Sequence, residues 1–231
     1  MEFTSACVVG AGRVGSALAA RLAERIPAWT TGRELETGDA DLVLLCVPDR
    51  AVSETAATIP PGPWIAHTSG VRTLDALAPH SRRFSLHPLQ AFVRERGPEQ
   101  IDGAWAAVSA ETDAALSAGF GLAELLGLRA FELEDAERPL YHAAAAVASS
   151  FLATLHWAAS ELFHEVGAPP EALVPLMRRT MENGFELTGP LTRGDWGTVE
   201  RHLEVVRERR PDLEPMYRAL VDVAATVAAA R

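Results

Sequence analysis

In the first half of the chain, apolar residues fall into short runs bounded by glycine, proline or polar residues, each followed by a turn or a stretch of helical spacing. The runs "ACVVGA", "AWTT", "LVLLCV", "WIAHTS", "RFSLHP", "AWAAVS" and "LRAFEL" predict seven strands. Between them the spacing predicts helices from about Val14 to Arg25, Ala51 to Ile59 and Asp113 to Leu126, with a short one around Leu74 to Leu77. Strand and helix in alternation predict a mostly parallel sheet covered on both faces. The pattern changes after Asp135. From Arg138 onward only helical periodicity remains: an alanine-rich stretch from Leu140 to Val166, a helix starting at "PPEALVPLMRR", a third near Trp196 to Arg207 and a fourth after Pro211. "GAPPE" at Gly167 to Glu171 reads as a stop and a start, with glycine ending one helix and proline opening the next. The pattern thus predicts two domains, an α/β domain over residues 1–135 and an all-α domain over 136–231.

The first strand runs into "GAGRVG". Gly10, Gly12 and Gly15 stand as G-x-G-x-x-G directly after a strand and before an amphipathic helix, the context a dinucleotide-binding loop requires. The first glycine permits a tight turn, the second lets the backbone approach a pyrophosphate, and the third lets helix and strand pack closely. Arg13 and Val14 complete the candidate phosphate-binding turn, where a helix N-terminus directs free N–H groups at an anion. The fold class expected is therefore Rossmann-like. An acidic ribose ligand is expected about 20 residues on. The second strand instead ends in Thr31, Gly32 and Arg33, a hydroxyl and a guanidinium that suit a 2′-phosphate, so NADP is expected over NAD. The plain alternative makes Arg33 a solvated loop residue and Glu34 or Glu36 the ribose ligand. Seven residues separate Arg33 from Asp41, too few for a full helix and a further strand, so the second α/β unit is shortened and part of the adenine wall is missing. "CVPD" ends the third strand at the sheet edge where ligands bind. Val47 and Pro48 can cover one side of a cofactor there, and Asp49 can cap the following helix.

Composition narrows the partners. The 231 residues carry a net charge of −10, which argues against a phosphate backbone as partner, so no nucleic acid is expected. Hydrophobic residues make up 48% of the chain, but no apolar run is expected to reach the roughly 18 to 20 residues of a membrane span. The start shows no export signal, and the cytoplasm is the expected location. The two cysteines, Cys7 and Cys46, sit in buried strands without ligand spacing, so no metal is expected. All 21 basic residues are arginine.

Two further strand ends are polar. "IAHTSG" and "SLHPLQAF" bring His67, Thr68, Ser69, Ser85, His87 and Gln90 toward one crevice. A carbonyl or hydroxyl exchanging a hydride needs a proton partner, and histidine supplies one near neutral pH. His87, stiffened by Pro88, is the first candidate, with Ser69 beside it and His67 and Gln90 as substrate-binding residues; structural packing is the alternative for each. In the helical half, Tyr141 and His142 begin the long helix and are expected at the crevice or, alternatively, as local backbone partners. Asn183 is a candidate to hydrogen-bond a reacting oxygen, and Arg193, on the glycine-rich "TGPLTRGDWG", to clamp an anionic group; the alternative for Arg193 is a surface ion pair.

Together "GAGRVG", "LLCVPD", "HTSG", "SLHPLQAF", "YHAAAAVASS" and "TGPLTRGDWGTVERHL" resemble the Rossmann-like oxidoreductases that carry a C-terminal helical domain of unknown function, placed with the 6-phosphogluconate dehydrogenase-like proteins and distantly similar to prephenate dehydrogenase and pyrroline-carboxylate reductase. The resemblance covers nearly the whole chain. It implies an NADP-binding domain joined to a helical domain that forms a homodimer, acting on a small molecule. Hydroxyacid dehydrogenases of this larger group use a helix lysine as proton donor, which a lysine-free chain lacks. "LHPL" is similar to the His-Pro segment of prephenate dehydrogenases, which puts His87 first and His142 second for acid/base work. The function expected is hydride transfer to or from a small, anionic metabolite. The alternatives are a nucleotide-binding or sensing protein without turnover, and a helical dimerisation module with a vestigial nucleotide fold.

Overall fold

The computed structural model describes residues 3–32 and 34–230. Contacts divide the chain into two units, one up to Val147 and one from Ala148 onward.

The first unit is built on strands β1 (Ala6–Val9), β2 (Ala28–Thr31), β3 (Leu42–Leu45), β4 (Trp64–His67), β5 (Arg83–Leu89), β6 (Trp105–Ala110) and β7 (Arg129–Glu132). They form one sheet in the order β2-β1-β3-β4-β5-β6-β7, parallel throughout except for the antiparallel β5–β6 pair. All seven expected strands are present. Because β1 is flanked by β2 on one side and β3 on the other, the chain reverses its progress across the sheet there, the switch point at whose C-terminal strand ends open α/β sheets bind ligands. The strands read as continuous apolar runs because both faces are covered. On one face Val8, Leu44, Phe84, Leu86 and Val108 pack with α1 (Arg13–Ala23) and α3 (Asp113–Leu126). On the other, Val9, Val43, Leu45 and Ile65 pack with Val52 and Ala56 of α2 (Val52–Thr58) and with Leu77 of a 3-10 turn, Leu74–Leu77.

Helix α1 is held by its buried face rather than by its ends. Its N-cap, Gly12, makes no side-chain bond, whereas Leu18 and Leu22 are wholly buried and contribute about 2 kcal/mol each. Helix α3 has both ends capped: the Thr112 hydroxyl accepts from the Ala115 N–H at 3.2 Å, and Gly127 closes the other end at φ 74°.

The shortened second unit shows directly in the sheet. Residues 34–40 form no helix or strand, and β3 pairs with β1, leaving β2 as an outer strand.

The first unit extends twelve residues past the change of pattern at 135, because α4 (Arg138–Ala146) begins on it: Arg138 is wholly buried among the strands. A π-helical turn, Val147–Phe151, leads into α5 (Leu152–Glu165) of the second unit, followed by α6 (Leu173–Glu182), α7 (Trp196–Arg209) and α8 (Glu214–Ala229). Gly167, at φ 69°, ends α5, with the Ala168 N–H bonded back to the Phe163 carbonyl at 2.9 Å. Asp195 caps α7, its carboxylate accepting from the Thr198 N–H at 3.1 Å. The core of this unit is small: Ala158, Val206 and Leu213, with Leu162, Met216 and Tyr217 packed against them.

The sequence reading of no membrane-length segment needs correction. The helical run Asp135–Glu165 is long and apolar enough, by length and composition alone, to cross a membrane. Its apolarity comes largely from alanine, so no single stretch stands out in the sequence, and its first turn carries the buried Arg138.

Candidate active site

The glycine loop follows β1. Gly10 stands at φ 107°, and a Cβ there would lie 2.6 Å from the Cys46 carbonyl oxygen, so the turn and the approach of β3 both require glycine. A Cβ on Gly15 would collide with the Gly10 carbonyl, which fixes how closely α1 rides over the loop. At Gly12 the same position meets nothing within 4 Å, so this glycine faces open space. The first turn of α1 has no side-chain cap and no acidic residue, which leaves its N–H groups available to an anion. Arg13 is exposed in that turn, while Val14 packs against the core. A cleft of about 160 Å³ runs beside it, lined by Gly12, Arg13, Ser16, Arg94, Arg96 and Pro98. Arg94 and Arg96 come from the loop after β5 and escaped the sequence reading, because only the fold brings that loop to α1.

Along the crevice, β4, β5 and β6 place a polar row across one face of the sheet. His67 lies opposite Ser85, and Ser85 opposite Ser109; all three are fully buried. His87 lies two residues beyond Ser85, hence on the same face. Its Nδ1 is 2.8 Å from the Tyr141 hydroxyl, and its ring meets those of Tyr141 and His142 edge-on, with centroids 5.5 and 5.9 Å away. Gly70 makes room for this cluster. A Cβ there would lie 2.9 Å from His87 Nε2 and would overlap the His142 ring.

Electrostatics set the protonation of the cluster. Burial, then the Arg138 charge, then His142, bring His87 down to about 4, and burial followed by Arg138 brings His67 down to about 3. Both imidazoles are neutral at pH 7. Burial pushes the Tyr141 phenol up to about 12, so it keeps its proton. With the phenol donating to Nδ1, the His87 ring carries its own proton on Nε2, the atom that faces Gly70. His67 lies within the same row, and neither of its ring nitrogens has a hydrogen-bond partner among the described residues.

Arg138 underlies the cluster and was missed by the sequence reading. Its Nη1 donates to Ser85 Oγ at 2.6 Å and to Ser109 Oγ at 3.0 Å, and its Nη2 donates to the Ser69 carbonyl. The available signal was two serines, Ser85 and Ser109, standing at buried positions of neighbouring strands.

Comparison with known proteins places the chain. A family profile described as a domain of unknown function, DUF2520, matches residues 104–223, just over half of the sequence. The chain belongs to the DUF2520 family. The matched span holds Ser109, Arg138, Tyr141 and His142, whereas the glycine loop and His87 precede it. No curated protein matches this DUF2520 chain. Its fold is similar to solved structures at low identity. Protein BF3122 from Bacteroides fragilis, described as a candidate NADP oxidoreductase, is 19% identical with a TM-score of 0.79, over 96% of this chain and 98% of that one. Protein TM1727 from Thermotoga maritima is 22% identical with a TM-score of 0.78, over 97% and 98%. A reductive aminase from Aspergillus terreus, solved with NADPH and ethyl levulinate, is 19% identical with a TM-score of 0.68, over 96% and 94%. These likenesses show the Rossmann-like fold with its helical C-terminal region.

The other expected site residues of this DUF2520 protein are dispersed. Val47 and Pro48 stand at the end of β3 beside the glycine loop, and Pro48 rather than Asp49 occupies the cap position of the 3-10 turn that follows. The Ser69 hydroxyl accepts from the Val71 and Arg72 N–H groups and shapes the turn after β4. The Thr31 hydroxyl is spent within its own loop, donating to the Glu34 carbonyl at 2.6 Å and accepting from the Glu36 N–H at 3.1 Å. Both ends of the Gln90 amide are likewise engaged, with the Gln100 carbonyl and the Ala91 N–H. Arg33 lies outside the described residues. Asn183, at the end of α6, and Arg193, in a 3-10 turn, are exposed residues of the second unit.

Proposed function

We propose that this protein is an NADP-dependent oxidoreductase that moves a hydride to or from a small, anionic metabolite. The observation that carries the reading is the His87–Tyr141 pair, set at the same end of the sheet as the glycine loop. The residues present fit a dinucleotide. Gly10, Gly12 and Gly15 shape the loop, the uncapped first turn of α1 offers N–H groups to the pyrophosphate, and Arg13, Arg94 and Arg96 supply positive charge beside it. The fold neighbours solved with NADPH support the same assignment. When bound, the nicotinamide supplies or accepts the hydride.

The protein's own part is to manage the proton. For a carbonyl substrate, His87 Nε2 donates its proton to the oxygen that becomes a hydroxyl, while the Tyr141 phenol passes its proton to Nδ1. The imidazole stays neutral and the charge comes to rest on the phenolate; return of the Nδ1 proton to the phenolate, with uptake of a solvent proton at Nε2, restores the starting pair. Transfer runs downhill because an alkoxide is a stronger base than a phenolate. His142 flanks this path as a substrate-positioning group, whereas His67, expected to bind substrate, is fully buried and acts only from within the sheet; the nearby Arg138 charge favours an anion.

The test is fluorescence titration with NADPH and with NADH. Saturable binding is expected, tighter for NADPH by roughly tenfold, a difference of about 1.4 kcal/mol. No saturation with either cofactor at millimolar concentration would overturn the reading. A nucleotide-binding or sensing protein without turnover is the second reading, favoured by the absence of regular structure over residues 34–40 and by the engaged Thr31 hydroxyl. Binding of NADPH without oxidation by any carbonyl or imine in a substrate panel would select it.

The second unit further supports a homodimer. Its buried core is small, while Phe151, Trp157, Leu176, Phe185 and Trp196 are each half or more exposed, more apolar surface than a monomer ordinarily leaves uncovered. Sedimentation equilibrium is expected to give twice the 24.8 kDa chain mass.

A further inference from the structure

We propose that Arg138 is the positioning residue of this site, a fixed buried cation that ties the ends of β4, β5 and β6 to the first turn of α4, thereby sets the placement of His87 and Tyr141, and lends its charge to both. The inference rests on the oxidoreductase reading only for what His87 then does.

The geometry carries it in two steps. Arg138 opens α4, and Tyr141 and His142 follow three and four residues later, on the same helical face. On the strand side, Ser85 and His87 are two residues apart and share a face of β5. Arg138–Ser85 and Tyr141–His87 are therefore successive cross-links between one helix and one strand, at 2.6 and 2.8 Å. The bonds to Ser109 Oγ and the Ser69 carbonyl extend the first link across three strands, so the guanidinium fixes where α4 begins and hence where the phenol meets the imidazole.

The charge meets a carboxylate on one edge only. All three of those acceptors are uncharged, and the nearest carboxylate, Asp135, stays 3.9 Å from Nε while its other oxygen accepts the Leu74 N–H at 2.9 Å. A buried cation bonded only to neutral acceptors, with a single carboxylate in contact at Nε, still acts on its ionisable neighbours. His87 faces Arg138, Tyr141 and His142 on α4 and Asp49 after β3, while His67 faces Arg138, Arg72 and Asp49. Of these, Arg138 disfavours an imidazolium at both histidines and favours the phenolate at Tyr141. One cation thus adds to burial in keeping the proton donor neutral and steadies the group that is left negative.

NMR titration of the histidine ring signals tests this on the full-length protein alone, without cofactor or substrate. Failure of the oxidoreductase reading appears separately, as absent NADPH binding. Arg138→Gln keeps hydrogen-bonding capacity without charge and is expected to raise the His87 midpoint by one pH unit or more. Arg138→Lys restores the charge and is expected to bring the midpoint back to the wild-type value. A folded Arg138→Gln protein in which His87 titrates as in the wild type would overturn the proposal. Should Arg138→Gln not fold, Arg138→Lys decides: an unchanged midpoint supports the role of the charge, and a midpoint that climbs despite the retained charge refutes it.

Discussion

Replacing His87 with alanine is expected to slow NADPH oxidation by about 10²- to 10⁴-fold on any substrate the wild-type protein reduces, with NADPH affinity unchanged within about twofold. The two effects separate because the residues that would hold phosphates belong to the glycine loop and the loop after β5, whereas His87 belongs to the strand-end cluster. Tyr141→Phe removes the outer half of the relay but leaves the imidazole in place, so its loss should be smaller. Steady-state rates of the two variants, paired with their NADPH dissociation constants, check this. A His87→Ala protein that turns over normally would remove the residue from the chemistry, and one that loses NADPH would make it a binding residue instead.

The second large effect is on stability in mild acid. Above pH 6.5 the imidazoles of His67 and His87 are neutral in both the folded and the unfolded chain. As the pH falls through 6.5, the unfolded chain takes up protons that the folded chain refuses until about 3 at His67 and about 4 at His87. Stability is therefore fully present above 6.5 and lost progressively below it. A single such histidine contributes a slope of up to about 1.4 kcal/mol per pH unit, so His67 alone is worth about 3 kcal/mol between pH 6.5 and 4. His87 contributes less than its shift suggests, because part of its ring meets solvent. The decline starts well above the carboxylate range. Paired residues such as Asp41 and Glu111, held low by Thr4 and Arg83, begin to matter only in stronger acid. Urea denaturation from pH 7.5 to 4 measures the slope, and a His87→Asn variant should show a shallower one. A flat profile over that range would mean that the histidines are not the buried neutral groups described.

The framework was legible because its signals are local. Continuous apolar runs such as Leu42–Leu45 announce strands covered on both faces, and Thr112 with Gly127 marks both ends of α3 within one short stretch. The shortened connection was legible as a count of residues between Arg33 and Asp41. The candidate site was legible only in part. His87 stood out because two histidines with neighbouring hydroxyls stand at converging strand ends and Pro88 stiffens the turn, and Tyr141 and His142 because they open an alanine-rich helix. Arg138 did not stand out, since its partners Ser85, Ser109 and Ser69 are distant in sequence and meet only through the register of β4, β5 and β6. Arg94 and Arg96 were hidden for the same reason. The spent hydroxyl of Thr31 shows the converse: a side chain well placed by sequence can be used up by its own loop.

The outermost strands, β2 and β7, are only four residues long. Margins this brief give a neighbouring polypeptide little to zip onto through main-chain bonding, which guards the molecule against fibrous or runaway association. Self-assembly through side chains, by contrast, stops at a defined number of copies when the contact is two-fold symmetric.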